Sequence, residues 1–176
     1  PGFARFIFVS RISQKKNLSY FLKRLRSVKH GGIHLDIVGA VDDPEYWNEC
    51  LSVIQSLPSN VTTTFHGAVS NDEVLVKMSK AQFFVLPTLN ENFGYVFVEA
   101  MAAGCPLLIS DRTVWNEVEK RSAGWTIPLE NSAEWEKCIE NIVSIDKTAF
   151  LEMSNRARLF AMAWLANPEI QNATAK

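Results

Sequence analysis

Two carboxylates eight positions apart, Glu91 and Glu99, bracket Gly94, and two cations five apart, Arg11 and Lys16, lie far upstream. Those residue types suit one kind of chemistry. A buried run, Phe83 to Pro87, leads into a short polar loop, Thr88 to Glu91, then Asn92-Phe93-Gly94, then a segment of helical character from Tyr95 to Gly104. A helix that opens on a glycine-containing loop offers free backbone N–H groups and the positive end of its dipole to an anion. Gly104, with Pro106 just beyond, is a left-handed helix stop. Glu99 stands about 7–8 Å along the helix axis from Gly94. An anion held on the N–H groups would therefore carry attached hydroxyls toward both carboxylates, as a phosphate joined to a sugar does.

Each candidate has a plainer reading beside the chemical one. Arg11 and Lys16 can clamp adjacent phosphates, the guanidinium as a fork and the ammonium as a point charge, or they are solvent-facing loop charges. Lys15 adjoins Lys16, and either can point inward. Glu91 is a ligand for hydroxyls or an ordinary loop acid. Glu99 lies between Val96-Phe97-Val98 and Ala100-Met101-Ala102-Ala103, where a carboxylate calls for a ligand or a salt bridge to a neighbouring helix. Trp115 lines a crevice or covers the sheet. His30, His34 and His66 do not cluster in sequence and read as structural, and Asp42-Asp43 before Pro44 reads as a helix cap.

The elements that must position these residues follow from periodicity. Short apolar runs at Arg5–Val9, Ile33–Val38, Val61–Phe65, Phe83–Pro87 and Pro106–Ser110 predict strands, with Trp125–Ile127 as a sixth on an edge. Between them lie helical patterns. Leu18, Phe21, Leu22, Leu25 and Val28 follow Asn17 as a cap. Trp47, Cys50, Leu51 and Ile54 form the inward face of a helix begun by Asp43-Pro44. Ser70 and Glu73 have capping-box spacing before Val74, Met78 and Ala81. Trp115–Lys120 is a short helix or turn. Asn131 caps a helix with Trp135, Cys138, Ile139 and Ile142 inward, and Asp146 opens a last one carrying Phe150, Met153, Ala157, Phe160 and Trp164, stopped by Pro168 before a frayed tail over Ile170–Lys176. Strands alternating with helices imply a parallel sheet with helices on both faces, whose ligands bind at the carboxyl ends of the strands. There the loops Ser10–Asn17, His66–Val69 and Thr88–Gly94 are expected to converge.

Bulk properties narrow the field. The chain has 176 residues, enough for one domain with a sizeable core, and a net charge of −1, which argues against nucleic acid. Residues 1–35 nevertheless carry eight Lys/Arg and no Asp or Glu, either a solvated basic face or a pole that attracts anions. Cys50, Cys105 and Cys138 lack metal-ligand spacing and read as reduced core residues of an intracellular protein. There is no signal peptide and no apolar span of membrane length. No G-x-G-x-x-G, P-loop, G-x-S-x-G, H-E-x-x-H or Asp-x-Asp occurs, so phosphate charge must be met by protein groups, with no metal expected.

Taken together, Ser10-Arg11-Ile12 with Lys16-Asn17-Leu18, His66-Gly67-Ala68-Val69, Leu86-Pro87-Thr88, Glu91-Asn92-Phe93-Gly94 and Glu99 through Pro106 resemble the C-terminal half of a GT-B glycosyltransferase, within the "group 1" transferases of glycosyltransferase family 4. Asp111 through Trp115 and Gly124-Trp125 resemble a branch that works in cell-surface polysaccharide assembly. The resemblance implies a Rossmann-like α/β domain of about six parallel strands, one half of a GT-B fold. It implies that Arg11 and Lys16 hold a diphosphate and that Glu99 bonds ribose hydroxyls. Glu91 would lie near the donor sugar, with Asn92, Phe93, Gly94 and Tyr95 around sugar and phosphate and Val69 against the base. Ser10 stands where the family has glycine, and Asn92 where it has a smaller residue. Glu91, Arg11 and Lys16 are then the catalytic candidates. The implied activity is metal-independent, retaining transfer of a hexosyl group from a nucleotide diphosphate sugar to a glycan or lipid-linked acceptor. The implied partners are that donor and acceptor and an N-terminal acceptor-binding domain, through which the inner face of a membrane can be reached from the cytoplasm. The segment would be an excised donor domain that binds nucleotide and transfers sugar poorly. A GT-B sugar-nucleotide epimerase and a non-catalytic nucleotide-sugar-binding module are the rival readings.

Overall fold

The computed structural model describes residues 1–167, and within them six strands form one parallel sheet. The strands are β1 (Phe3–Val9), β2 (Gly32–Val38), β3 (Val61–Gly67), β4 (Phe83–Leu86), β5 (Leu107–Ser110) and β6 (Gly124–Ile127). Their order across the sheet is β3-β2-β1-β4-β5-β6, and every neighbouring pair is parallel. This is the doubly wound order, in which chain direction across the sheet reverses between β1 and β4 and leaves a crevice beyond their carboxyl ends. The residues of β4 and β5 are buried throughout, as expected for strands covered on both faces. The edge strand β3 is half exposed.

Among the described residues six α-helices connect and cover the strands: α1 (Leu18–Leu25), α2 (Pro44–Gln55), α3 (Asn71–Lys80), α4 (Tyr95–Ala103), α5 (Ser132–Ser144) and α6 (Lys147–Leu165). α1 packs between α2 and α5 in one layer, and α4 between α3 and α6 in the other. The helix starts follow local chemistry. Asp43 accepts the N–H of Tyr46 at 3.0 Å, Ser70 and Glu73 form a complete capping box, and Asn131 and Asp146 cap α5 and α6. Gly104 ends α4 in the left-handed region, with φ of 92°.

Several expectations need correction. Asn17 precedes α1 but does not cap it with its side chain, because a 3-10 turn at Gln14–Lys16 leaves it in the left-handed region at φ 58° rather than the extended geometry a cap requires. The buried face of α2 is Tyr46, Cys50 and Val53, with the expected Trp47 and Ile54 half-buried against the core and the expected Leu51 exposed. The Tyr46 hydroxyl accepts the Ser19 N–H at 2.8 Å, which turns Tyr46 inward and leaves Leu51 exposed. Trp47 sits at the margin, 4.4 Å from the Phe65 ring. Of the two readings given for Trp115–Lys120, a short helix or a turn, the structure has the turn, over residues 116–122. The basic start of the chain is not a free cationic pole: Arg5, Arg11, Lys16, Lys23 and Arg24 are ion-paired with Asp36, Asp42, Glu91, Glu49 and Glu136. Pro168 and Ile170–Lys176 lie outside the described residues. Among the described residues no helix is long and apolar enough to cross a membrane.

Candidate functional site

The crevice at the strand reversal is built from the segment after β1 and the loop after β4. Three bonds join them. The Leu89 N–H and the Thr88 hydroxyl both donate to the Lys15 carbonyl, at 2.9 and 3.2 Å, and the Lys16 ammonium is bonded to the Glu91 carboxylate. With the backbone of Lys15 used this way, its side chain is left exposed while Lys16 turns inward, which resolves the ambiguity between the two. The Lys16 and Glu91 side chains are only 14% and 19% exposed. Ser110 at the end of β5 donates to the Thr88 carbonyl at 2.6 Å, and the Glu91 N–H donates to the Arg112 carbonyl at 3.0 Å, so the loop is fastened on both sides.

Beyond Glu91 the backbone changes character. Among the described residues, the N–H groups of Asn92, Phe93, Gly94, Tyr95 and Val96 make no hydrogen bond, whereas the Phe97 N–H closes the first turn on Gly94 at 2.8 Å. Gly94 has φ of 65°, and a Cβ there would lie 2.4 Å from the Phe97 ring and 3.1 Å from Glu91 Cγ. Only glycine suits both the conformation and the space. A row of free donors at the positive end of α4, beside a lysine, is an anion-binding arrangement.

The remaining candidates are placed around this centre. Arg11 does not join Lys16: its guanidinium, 69% exposed, is ion-paired with Asp42 at 2.8 Å on the β2 side of the crevice. Thus Asp43 alone caps α2, and its neighbour Asp42 has a separate partner. Gly39, at the end of β2, donates to the Gly67 carbonyl at 2.8 Å, and a Cβ on it would sit 1.9 Å from the Ser10 carbonyl oxygen. The ends of β1, β2 and β3 are thereby drawn together, with Val69 half-buried just beyond β3. Asn92, Phe93 and Tyr95 are exposed. Glu99 is exposed too, and no hydrogen bond or salt bridge to another helix engages it among the described residues. It lines a groove of about 510 Å³ with Leu75 and Ser79 of α3 and Tyr95 and Val98 of α4. Its apolar sequence context arises because Phe97, Val98, Ala100 and Met101 bury the other sides of α4.

Two clusters were not legible in advance. Trp115, 3% exposed, neither lines the crevice nor merely covers the sheet: its indole N–H donates to the Phe93 carbonyl at 2.8 Å. The sequence marked Trp115 as a residue of the crevice or of a cover over the sheet, and nothing along the chain pointed to Phe93 as its partner. On β2 and β3, His34 and His66 meet on Asp36 at 3.4 and 2.7 Å, with Arg5 at 3.6 Å and Lys77 3.1 Å from the far nitrogen of His66. Burial alone would raise the Asp36 carboxyl, but the His66 hydrogen bond, then the charge and hydrogen bond of His34 and the charge of His66, hold it below the usual carboxylate value. The three cysteines are buried thiols; burial pushes Cys50 up to about 11 and Cys105 and Cys138 up to about 12.

Comparison with known proteins adds three findings. The family described as glycosyl transferases group 1 matches residues 2–159. The O-antigen chain mannosyltransferase RfbU of Salmonella typhimurium is 29% identical over 147 residues, which cover 74% of this chain and 40% of that protein. The chain thus spans less than half the length of this relative. Two solved structures share the fold: WaaG, a glycosyltransferase involved in lipopolysaccharide biosynthesis, at TM-score 0.74 and 19% identity over 91% of this chain and 43% of that one, and HepE of Anabaena in complex with UDP-glucose, at TM-score 0.69 and 22% identity over 89% of this chain and 43% of that one.

Proposed function

The chain belongs to the group 1 glycosyl transferases, and on that footing we propose that it binds a nucleotide diphosphate sugar and forms the donor half of a hexosyltransferase. The observation that carries this reading is the Lys16–Glu91 pair lying beside the unbonded N–H row from Asn92 to Val96. The diphosphate sits over the N-terminus of α4, against Lys16. Arg11 swings from Asp42 to join it, a small cost because an exposed ion pair contributes about 0–1 kcal/mol. Glu99 takes the ribose hydroxyls, Val69 flanks the base, and Glu91, Asn92 and Tyr95 surround the transferred sugar.

Departure of the nucleotide builds negative charge on the distal phosphate. Arg11, Lys16 and the N–H groups of Phe93 and Gly94 stabilise it without a metal, and loss of one such donor lowers the rate by roughly 10²–10³. Retention at the sugar, a cytoplasmic setting and an acceptor in surface polysaccharide assembly, held by a second domain, complete the proposal. The O-antigen role of RfbU and the UDP-glucose bound to HepE support it.

A thermal-shift panel of UDP, GDP and ADP tests it. A specific ligand at about 100 times its dissociation constant adds roughly 2.7 kcal/mol to stability, and Lys16→Ala removes most of that gain. No shift with any of the three refutes the proposal.

A further inference from the structure

The backbone at Gly94 has an unusual freedom. A peptide group between two residues flips by changing ψ of the first and φ of the second, and glycine alone accepts both signs of φ readily. The Phe93–Gly94 peptide is therefore the one in the loop with the least intrinsic preference for either orientation. Its carbonyl and its N–H point in opposite directions because the group is planar and trans. Whatever holds the carbonyl decides where the N–H faces.

Trp115 holds it. The indole N–H, a group that can only donate, lies 2.8 Å from the Phe93 oxygen. Trp115 is itself held on several sides. Its ring meets Phe97 of α4 at 6.1 Å and Phe160 and Trp164 of α6 at 5.9 and 5.3 Å, and its own N–H donates to the Thr113 hydroxyl at 3.1 Å. Thr113 in turn is bridged to Glu91 as an extension of the sheet. With the Phe93 carbonyl drawn toward this buried ring, the Gly94 N–H faces away from the aromatic core.

We propose that Trp115 is a positioning residue for the donor site: its indole N–H locks the Phe93–Gly94 peptide so that the Gly94 N–H is presented to the diphosphate. The proposal rests on the donor-site reading above. It assigns a role in phosphate binding to a side chain that touches no ligand. It also places α6, through Phe160 and Trp164, behind the anion site as its mechanical support.

Trp115→Phe keeps an aromatic ring at the site and removes the donor, together with part of the indole's packing volume, which the uridine control measures. Calorimetry on the chain and the variant, with UDP, GDP, ADP, inorganic pyrophosphate and uridine, is the test. The expected result is a roughly ten- to hundredfold weaker affinity for pyrophosphate and for the preferred nucleotide, with uridine binding unchanged. Equal losses for uridine would mean general damage and would overturn the positioning role. So would unchanged pyrophosphate and nucleotide affinity in the variant while the wild type binds. If the wild type binds none of the diphosphates, the donor-site reading itself falls, and this role with it. Should Trp115→Phe fail to fold, 15N-tryptophan spectra of the wild-type chain decide the matter. The Trp115 indole proton is expected to be protected from exchange and to shift on addition of UDP or GDP; a freely exchanging, unshifted proton overturns the proposal.

Discussion

Lys16, after β1, and Glu91, after β4, form a largely buried ion pair across the point where the strand order of the sheet reverses. The pair ties the segment after β1 to the loop after β4 and sets a cation next to Glu91, close to the N-terminus of α4. Removing one partner leaves the other charged and poorly hydrated, which is costlier than removing both. Lys16→Ala and Glu91→Ala should each destabilise the chain by about 1–3 kcal/mol, and the double variant by less than the sum. Urea unfolding of all four proteins checks this; a coupling energy near zero would mean that the two side chains act independently.

Gly94 answers to two constraints, its left-handed φ and the Phe97 ring 2.4 Å from where a Cβ would stand. Gly94→Ala should cost about 1–3 kcal/mol in stability and weaken diphosphate binding, since relief of either constraint displaces the N–H row. Gly67→Ala is the control. Its φ is also left-handed, at 67°, but nothing lies within 4 Å of the added carbon, so the smaller loss should leave binding intact. Equal effects of the two on pyrophosphate affinity would contradict this account.

Glu99 is exposed, and among the described residues no protein group engages it, so its charge has little structural work there. Glu99→Gln should change unfolding stability by less than about 0.5 kcal/mol. It should nevertheless erase a preference for the ribonucleotide diphosphate over its 2′,3′-dideoxy counterpart. A preference that survives the substitution would remove Glu99 from the ribose site.

The Asp36 cluster predicts a pH dependence whose sign follows from linkage. The folded state holds this carboxyl below its ordinary value of 3.8, so the folded chain binds fewer protons there than the unfolded one. Its stabilising contribution is complete above the ordinary value and is lost as pH falls through the lower, folded value. Arg5, His34 and His66 face the group, with Lys77 behind His66. Asp36→Asn should therefore be less stable than the wild type at neutral pH, and the difference should shrink below about pH 4. Unfolding curves at pH 7, 5 and 3.5 measure it; a gap that widens in acid would reverse the assignment.

What could be read without coordinates was whatever depends on neighbours along the chain. The apolar run Phe83–Pro87, the cap at Asp43, the capping box at Ser70 and the stop at Gly104 are each set by a few adjacent residues, and together they specify alternating strands and helices. The run from Glu91 through Gly94 to Glu99 is local as well, so a helix N-terminus suited to an anion was legible. The phase of α2 was not, because the Tyr46 hydroxyl accepts the Ser19 N–H of the neighbouring α1 and this turns Tyr46 inward. Nor was the choice of Lys16 over Lys15, the diversion of Arg11 to Asp42, the meeting of two histidines on Asp36, or the bond from Trp115 to Phe93. Where these pairs cross between loops they are 22 to 75 positions apart, and each meets because two strands pair in the sheet: Lys16 and Glu91 because β1 lies beside β4, Arg11 and Asp42 because β1 lies beside β2, and Trp115 and Phe93 because β4 lies beside β5. Periodicity specifies which face of an element is buried; which element lies opposite is decided only when the sheet assembles.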